Sequence, residues 1–233
     1  PMNNHSESSQ FSENYKETSY WLDDISASDS KNNHSPELPE QTDLVIIGSG
    51  YTGLNAAIET AAQGMETLVI DQGDLGQGCS TKNGGQISTS IKPSLKALTK
   101  KYGGEKANAI RQEGHNALNW IEGLVTRENL NCEFTRCGRF HGAHTPSQYE
   151  QMCSTINELN EENITAHAIE KIAMRSELGT DFYHGGLVFP DNAALHPAKY
   201  HRELTRLAEA RGSKLIGNCK ALKISRERGL SLI

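Results

Sequence analysis

The residues best suited to chemistry lie between Asp43 and Gln86. Gly48-Ser49-Gly50-Tyr51-Thr52-Gly53 has GxGxxG spacing. It stands between an apolar run, Leu44-Val45-Ile46-Ile47, and a helical pattern with Leu54, Ala57, Ile58 and Ala61 on one face. Each glycine has a separate task in such a motif. Gly48 permits a tight turn out of the strand, Gly50 lets backbone amides approach a pyrophosphate, and Gly53 lets the helix pack close to the sheet. The helix N-terminus then offers N–H groups and a partial positive charge to phosphates. Asp71 closes a second apolar run, Thr67 to Ile70, 18 residues after Gly53. A carboxylate there accepts hydrogen bonds from both hydroxyls of an adenosine ribose and repels a 2′-phosphate, which argues against NADP. The plain alternative is a glycine-rich turn with a capping acid at a strand end. It leaves the coincidence of strand, glycines, helix and terminal acid unexplained.

The fingerprint does not choose between FAD and NAD. The next segment, Gly76-Gln77-Gly78-Cys79-Ser80-Thr81-Lys82-Asn83-Gly84-Gly85-Gln86, bears on the choice. It belongs to a Gly-rich stretch from Gly73 to Gly85 that is too long for an ordinary connection, and such loops are usually functional. NAD proteins of this type usually proceed directly to another crossover unit. A small-polar, Gly-rich segment can instead wrap an extended flavin dinucleotide, its amides and Ser/Asn side chains bonding the phosphate and the ring edge. A solvated, turn-rich loop is the competing reading.

Positioning these groups requires a βαβ unit of about 30 residues, right-handed by default. Four apolar residues in a row at 44–47 predict a strand buried on both faces, and Gly64 is placed to end the helix. Further helices are expected at 93–102, 105–125, 146–162 and 166–175, with β-like pieces at 131–135, 138–142 and 183–189. His196-Pro197-Ala198-Lys199 opens a helix to Arg211 that carries Tyr200, Leu204, Leu207 and Ala208 on one face and is capped by Gly212. Strands are expected at 214–216 and 221–224. The fold class is therefore α/β, with a Rossmann-type parallel sheet and part of a second, mixed α+β domain. The expected divisions are a polar tail (1–40), the first part of the dinucleotide-binding domain (41–92), a partial substrate domain with a helical insertion (93–190), and a return to the first domain (191–233). The tail is too polar to bury much surface. Its apolar island, Ser19-Tyr20-Trp21-Leu22, is suited to docking on the body.

The formal net charge of −6 argues against a nucleic-acid partner, which needs a basic face. No run approaches the ~20 apolar residues of a membrane span, and residues 1–40 lack the apolar core of a signal peptide. Five cysteines, with no CxxC, indicate neither a disulfide framework nor a zinc site. A reducing cytoplasm is the expected location. His141 and His144 lack a third ligand at suitable spacing, so no metal is expected. His196, before Pro197, reads as a turn or capping residue. Trp120 reads as core, and the acidic run from Glu158 to Glu162 as a solvated helix end.

DLVIIGSGYTGLNAAIETAAQGMETLVID, followed by GCSTKNGGQIS, resembles the FAD-dependent amine and amino-acid oxidoreductases of the D-amino-acid oxidase/glycine oxidase type, and most of all the γ-glutamylputrescine oxidoreductase-like branch. The Tyr20-Trp21 island, the SxxNGGQ loop and the stretch from Gly185-Gly186 through Asp191 to His196-Pro197 share in the resemblance, which spans roughly 19–224. It implies FAD bound by Gly48, Ser49, Gly50, Tyr51, Thr52 and Gly53 at the pyrophosphate and by Asp71 and Gln72 near the ribose. Ser80, Thr81, Asn83, Gly84, Gly85 and Gln86 would run toward the flavin, and a strand at Ala221 would pass the adenine. Two departures stand out. Lys82 replaces a common Arg, keeping charge but losing the fork, and no histidine between His34 and His115 could tether a flavin. The implied reaction is oxidation of a C–N bond in an amine or amino acid, by hydride transfer to the flavin, with oxygen or another acceptor closing the cycle. No catalytic residue is singled out. The resemblance also implies a protein about twice this length, so the chain is expected to be an N-terminal fragment. An NAD-dependent dehydrogenase and a non-catalytic FAD-binding fragment are the alternatives. The amine, the electron acceptor and the oligomeric state stay open.

Overall fold

The computed structural model describes residues 12, 15–25, 37–227 and 230–232; much of the expected tail, at 1–11, 13–14 and 26–36, lies outside the described residues. The fold is α/β. A short helix α1 (Tyr20–Asp23) precedes β1 (Leu44–Ile47), α2 (Tyr51–Ala62) and β2 (Thr67–Ile70). Strand β3 (Gln86–Ser88), helices α3 (Leu95–Tyr102) and α4 (Gly104–Arg127), strand β4 (Arg139–Gly142), helices α5 (Pro146–Ser154) and α6 (Ile156–Glu161) and strand β5 (His167–Glu170) follow. The chain continues through α7 (Met174–Leu178), β6 (Gly185–Phe189), β7 (Asn192–Ala194), α8 (Pro197–Ala210), β8 (Lys214–Ile216) and the hairpin β9 (Ser225–Glu227) and β10 (Leu230–Leu232).

β1, β2 and β8 form a parallel sheet with β2 in the middle. Val45 pairs with Leu68, and Val69 with Leu215. All four residues of β2 are buried. β1 corrects the expectation of burial on both faces. It is an edge strand among the described residues, only partly covered, and Ile47 is 49% exposed. The core lies between the sheet and the helices. Leu54, Ala57 and Ile58 of α2 meet Tyr200, Leu204, Leu207 and Ala208 of α8, with Val69 beneath and Leu124 and Cys132 beside them. Truncating a fully buried leucine such as Leu54 or Leu204 would cost about 2–5 kcal/mol.

The second unit is the antiparallel sheet β4-β6-β5. A separate pair, β3 with β7, joins Gln86 to Ala194 and so brings the Gly-rich loop alongside the segment that opens α8. Several expectations are corrected. Residues 167–170 are a strand, because Ala168 and Ile169 pair with Leu187 and Gly186; only 174–178 are α-helical, ended by Gly179 in the left-handed region at φ 71°. The helix expected over 146–162 breaks at Thr155, whose hydroxyl donates to Met152 O at 2.7 Å, a side-chain bond that competes with the helical ladder. At 131–135 the only described pairing is an isolated bridge from Thr135 to Ala194. Residues 221–224 form no strand. Leu222 and Ile224 face solvent there, and regular pairing resumes at Ser225. Trp120 also departs from its core assignment, being 40% exposed.

Candidate dinucleotide site

The turn from β1 into α2 is built by backbone proximity. A Cβ on Gly53 would stand 2.0 Å from Gly48 O, so only glycine lets the first turn of α2 lie against the end of β1. Gly48 itself has φ 104°. Gly50 caps α2 in extended conformation without a side-chain cap, which leaves first-turn amides available to a ligand. Ser80 Oγ accepts from Tyr51 N at 3.2 Å, and a Cβ on Gly50 would lie 3.1 Å from that same oxygen. A serine oxygen thus already sits where an anion's oxygen would lie against the helix dipole. Thr52 is exposed on this first turn, while Tyr51 turns inward, its hydroxyl donating to Pro197 O at 3.0 Å and its ring edge-on to Tyr200. Burial pushes the Tyr51 and Tyr200 hydroxyls up, so neither is a ready acid.

Asp71 follows β2 directly. Its Oδ2 accepts from Ser49 N at 2.8 Å and Ser49 Oγ at 2.7 Å, and its Oδ1 from Gly73 N at 3.2 Å. Burial pushes the carboxyl up, but the bonds from Ser49 and Gly73 outweigh it and hold the group below the ordinary carboxylate value. A carboxylate offers about four lone-pair sites, so Oδ1 retains room for a ribose hydroxyl. Gln72 is exposed beside it. The chain leaving β8 returns here, with Cys219 N donating to Asp71 O at 2.7 Å. Ala221, two residues on, rests half-buried near Leu68, Ile70 and Ile216, as irregular chain rather than strand.

Thr81 is buried, its hydroxyl donating to the carbonyls of Gly76 and Gly78. Asn83 closes the following turn: its Nδ2 donates to Ser80 O at 2.9 Å and Cys79 O at 3.2 Å, while its Oδ1 accepts from Gly85 N at 2.8 Å. Gly85, at φ 69°, could not carry a side chain, because a Cβ would meet Leu195 O at 2.3 Å. Gly84 and Gln86 are exposed on either side, as are Lys82 and Cys79. The structure therefore brings together Ser49 with Asp71, Gly50 and Tyr51 with Ser80, and Asn83 with Gly85.

One residue, His201, escapes the sequence reading. His201 is buried, and its Nε2 lies 2.7 Å from Ser49 O, so the ring must donate there. Burial holds this imidazole below its ordinary value, against the raising effect of Ser49 and Asp71. Its spacing from Leu204 and Ala208 on the inward face of α8 was the available signal. The apolar island at 19–22 docks on the body, as its residues suggest. Trp21 Nε1 donates to Asn83 O at 2.8 Å, and its ring lies 4.9 Å from His196. His196 does cap α8, with Nδ1 accepting from Lys199 N at 3.2 Å. The proton then belongs on Nε2, directed at Asp24 Oδ2 3.2 Å away. Lys199 also reaches Asp24 and Glu133, and its proximity holds the Asp24 carboxyl below the ordinary range. His144 packs edge-on to Phe182 and Tyr183; among the described residues no group of three or more His, Cys, Asp or Glu is placed to hold a metal. No described helix is long and apolar enough to cross a membrane.

A glycine turn at a helix N-terminus, facing a strand-end carboxylate across a parallel sheet, defines a dinucleotide-binding protein. The profile of one family, described as FAD dependent oxidoreductase (DAO), matches residues 43–232, and the chain belongs to that family. FAD is accordingly its cofactor, and NAD is set aside. The chain is 29% identical over 195 residues to a probable oxidoreductase, OrdL, of Rhizobium meliloti (strain 1021), covering 83% of this chain and 45% of the relative. It is 26% identical to γ-glutamylputrescine oxidoreductase of Escherichia coli (strain K12), covering 66% and 36%. Glycine oxidase from Bacillus cereus ATCC 14579 shares the fold with a TM-score of 0.61 at 14% identity, covering 81% of this chain and 49% of that one. The chain thus spans less than half the length of these proteins.

Proposed function

We propose that this chain supplies the FAD-binding part of an oxidoreductase that oxidises a C–N bond in an amine or amino acid. The observation that carries the reading is the Asp71 carboxylate, fixed by Ser49 and Gly73 beside the N-terminus of α2. That pairing separates the two polar ends of a dinucleotide, ribose at the acid and pyrophosphate at the amides. Ser49 to Gly53 and Ser80 would hold the pyrophosphate, Asp71 the ribose, and Asn83 to Gln86 the segment toward the ring. When bound, FAD supplies a two-electron acceptor for hydride. The substrate would lose a hydride from its α-carbon and a proton from its nitrogen overall, and the imine would take up water to give a carbonyl compound and ammonia or a free amine. Oxygen or another acceptor would then take the electrons. No residue of this chain is assigned to proton transfer, because a neutral amine needs no dedicated base for hydride loss. γ-Glutamylputrescine oxidoreductase and glycine oxidase, by their names, support an amine or amino acid as substrate.

The test is direct. The purified protein should carry the visible flavin band, or acquire it on FAD addition, and the band should bleach when amines or amino acids are added without oxygen. A colourless protein that takes up no FAD would overturn the reading. Uptake of FAD without bleaching by any amine would reduce it to a non-catalytic cofactor-binding chain.

A further inference from the structure

The docked island touches the turn that leads toward the flavin, and it does so from a segment 62 positions away. Asn83 uses both ends of its amide to close its own turn, with Tyr51 also beside that side chain, and offers its main-chain carbonyl to a more distant contact. Trp21 takes that handle with Nε1–H at 2.8 Å. On the opposite flank, Leu195 N donates to Gly85 O at 2.9 Å. Trp21 in turn is seated against His196, and Asp24 ties the same segment to His196 Nε2 and Lys199 Nζ, each at 3.2 Å. Helix α1 has only four residues, far below the roughly 12–15 needed for a helix to persist alone in water. Its order must come from docking, so the order of α1 and of the Asn83–Gly85 turn are linked.

We propose that Trp21 and Asp24 form a strap that positions the Asn83–Gly85 turn for the cofactor, so that docking of the strap sets how tightly FAD is held. Both are positioning residues, since neither is assigned a contact with the cofactor. The inference rests on the functional reading above. Linkage makes it reciprocal: whatever the strap adds to FAD affinity, FAD must add to strap docking.

Amide hydrogen exchange and FAD titration of the full chain test this together. In Trp21→Ala, exchange at Gly85 and across 20–24 should rise together without FAD, and FAD should bind about tenfold more weakly. Trp21→Phe keeps the ring but loses the N–H, and should weaken FAD about fivefold, the loss expected of one hydrogen bond. Lys16→Ala removes only the exposed pair with Asp23 on the same segment and should leave both readouts unchanged. In the unaltered protein, FAD should slow exchange across 20–24. Unchanged Gly85 exchange and FAD affinity in Trp21→Ala would overturn the strap while leaving the functional reading intact. Failure of the unaltered protein to bind FAD would overturn that reading instead, and the exchange at Gly85 would still decide whether Trp21 holds the turn.

Discussion

The Gly48–Asp71 region, proposed above as the phosphate end, and the Asn83–Gly85 turn, proposed to lie on the flavin side, are assembled by different means. At the phosphate end the glycines and the carboxylate lie between Gly48 and Asp71, inside one βαβ unit, with Ser80 and His201 added from outside, and the closest approach is backbone to backbone. The flavin-side turn closes its own loop through Asn83 but is held in place by residues from both flanks of the sequence, Trp21 before it and Leu195 after it. The first is rigid because strand, turn and helix leave it no alternative. The second is correct only when distant segments are docked. Damage at the phosphate end should therefore propagate into the sheet, whereas damage at the turn should stay local.

Gly53→Val should produce the largest effect. Even the first carbon of the new side chain would stand 2.0 Å from Gly48 O, so α2 must move off the sheet and take Leu54, Ala57 and Ile58 with it. A loss of about 3 kcal/mol or more in chemical denaturation is expected, with no measurable FAD uptake. Asp71→Ala comes next. It leaves Ser49 N, Ser49 Oγ and Gly73 N without their acceptor. Bonds to a charged group contribute about 1.5–3 kcal/mol, so FAD affinity should fall by roughly 10- to 150-fold. Stability should also become less sensitive to acid. The folded carboxyl lies below its unfolded value, so its contribution is present above the ordinary carboxylate range and is lost as pH falls through the folded value. Unfolding curves recorded downward from pH ~5 would show this slope in the parent and a shallower one in the variant.

Gly85→Ala tests the other side. The added carbon would meet Leu195 O at 2.3 Å and the backbone would be strained at φ 69°. Backbone strain alone costs about 1–3 kcal/mol, and the turn must also move away from Leu195 to relieve the contact. The change in exchange should be confined to the turn, β3 and the start of α8, with the α2–α8 core unaltered. A loss of the whole parallel sheet in this variant would erase the distinction between the two regions.

The same distinction explains what could be read in advance. Gly48, Gly50, Gly53 and Asp71 announce themselves because their spacing along the chain matches their spacing in the structure. β2, α2, α8 and β8 were legible for the same reason, each being a local pattern of apolar residues. β1 reads as doubly buried in the sequence because an apolar run records the composition of a strand and not its place in a sheet. The strand at 167–170 reads as helix in the sequence because its pairing with β6 is long-range, and tertiary pairing overrides local preference. Asn83 was recognisable as part of the loop, but its bond to Trp21 depends on how two segments dock. The resemblance implies a strand at Ala221 passing the adenine; the chain returns beside Asp71 through Cys219 but forms no strand at 221–224.

His201 gives the smallest effect and the sharpest contrast, because it joins α8 to the phosphate end. Its Nε2–H donates to Ser49 O from a buried position. The folded protein therefore keeps this imidazole neutral at pH values where the unfolded chain binds a proton, near the ordinary histidine value of ~6.5. The sign follows from linkage. With the folded value depressed, the unfolded state holds more protons just below that pH, so stability is full above it and falls as the pH drops toward the folded value. One such group contributes a slope of at most about 1.4 kcal/mol per pH unit. His201→Gln keeps an N–H donor that can reach Ser49 O but cannot titrate. It should cost little at pH ~8 and show a flatter stability profile between pH ~7 and ~5. Exchange at Ser49 and Gly50 should follow that profile in the parent. A profile with equal slope in parent and variant would remove His201 from the phosphate end and leave Asp71 as its acid-sensitive group.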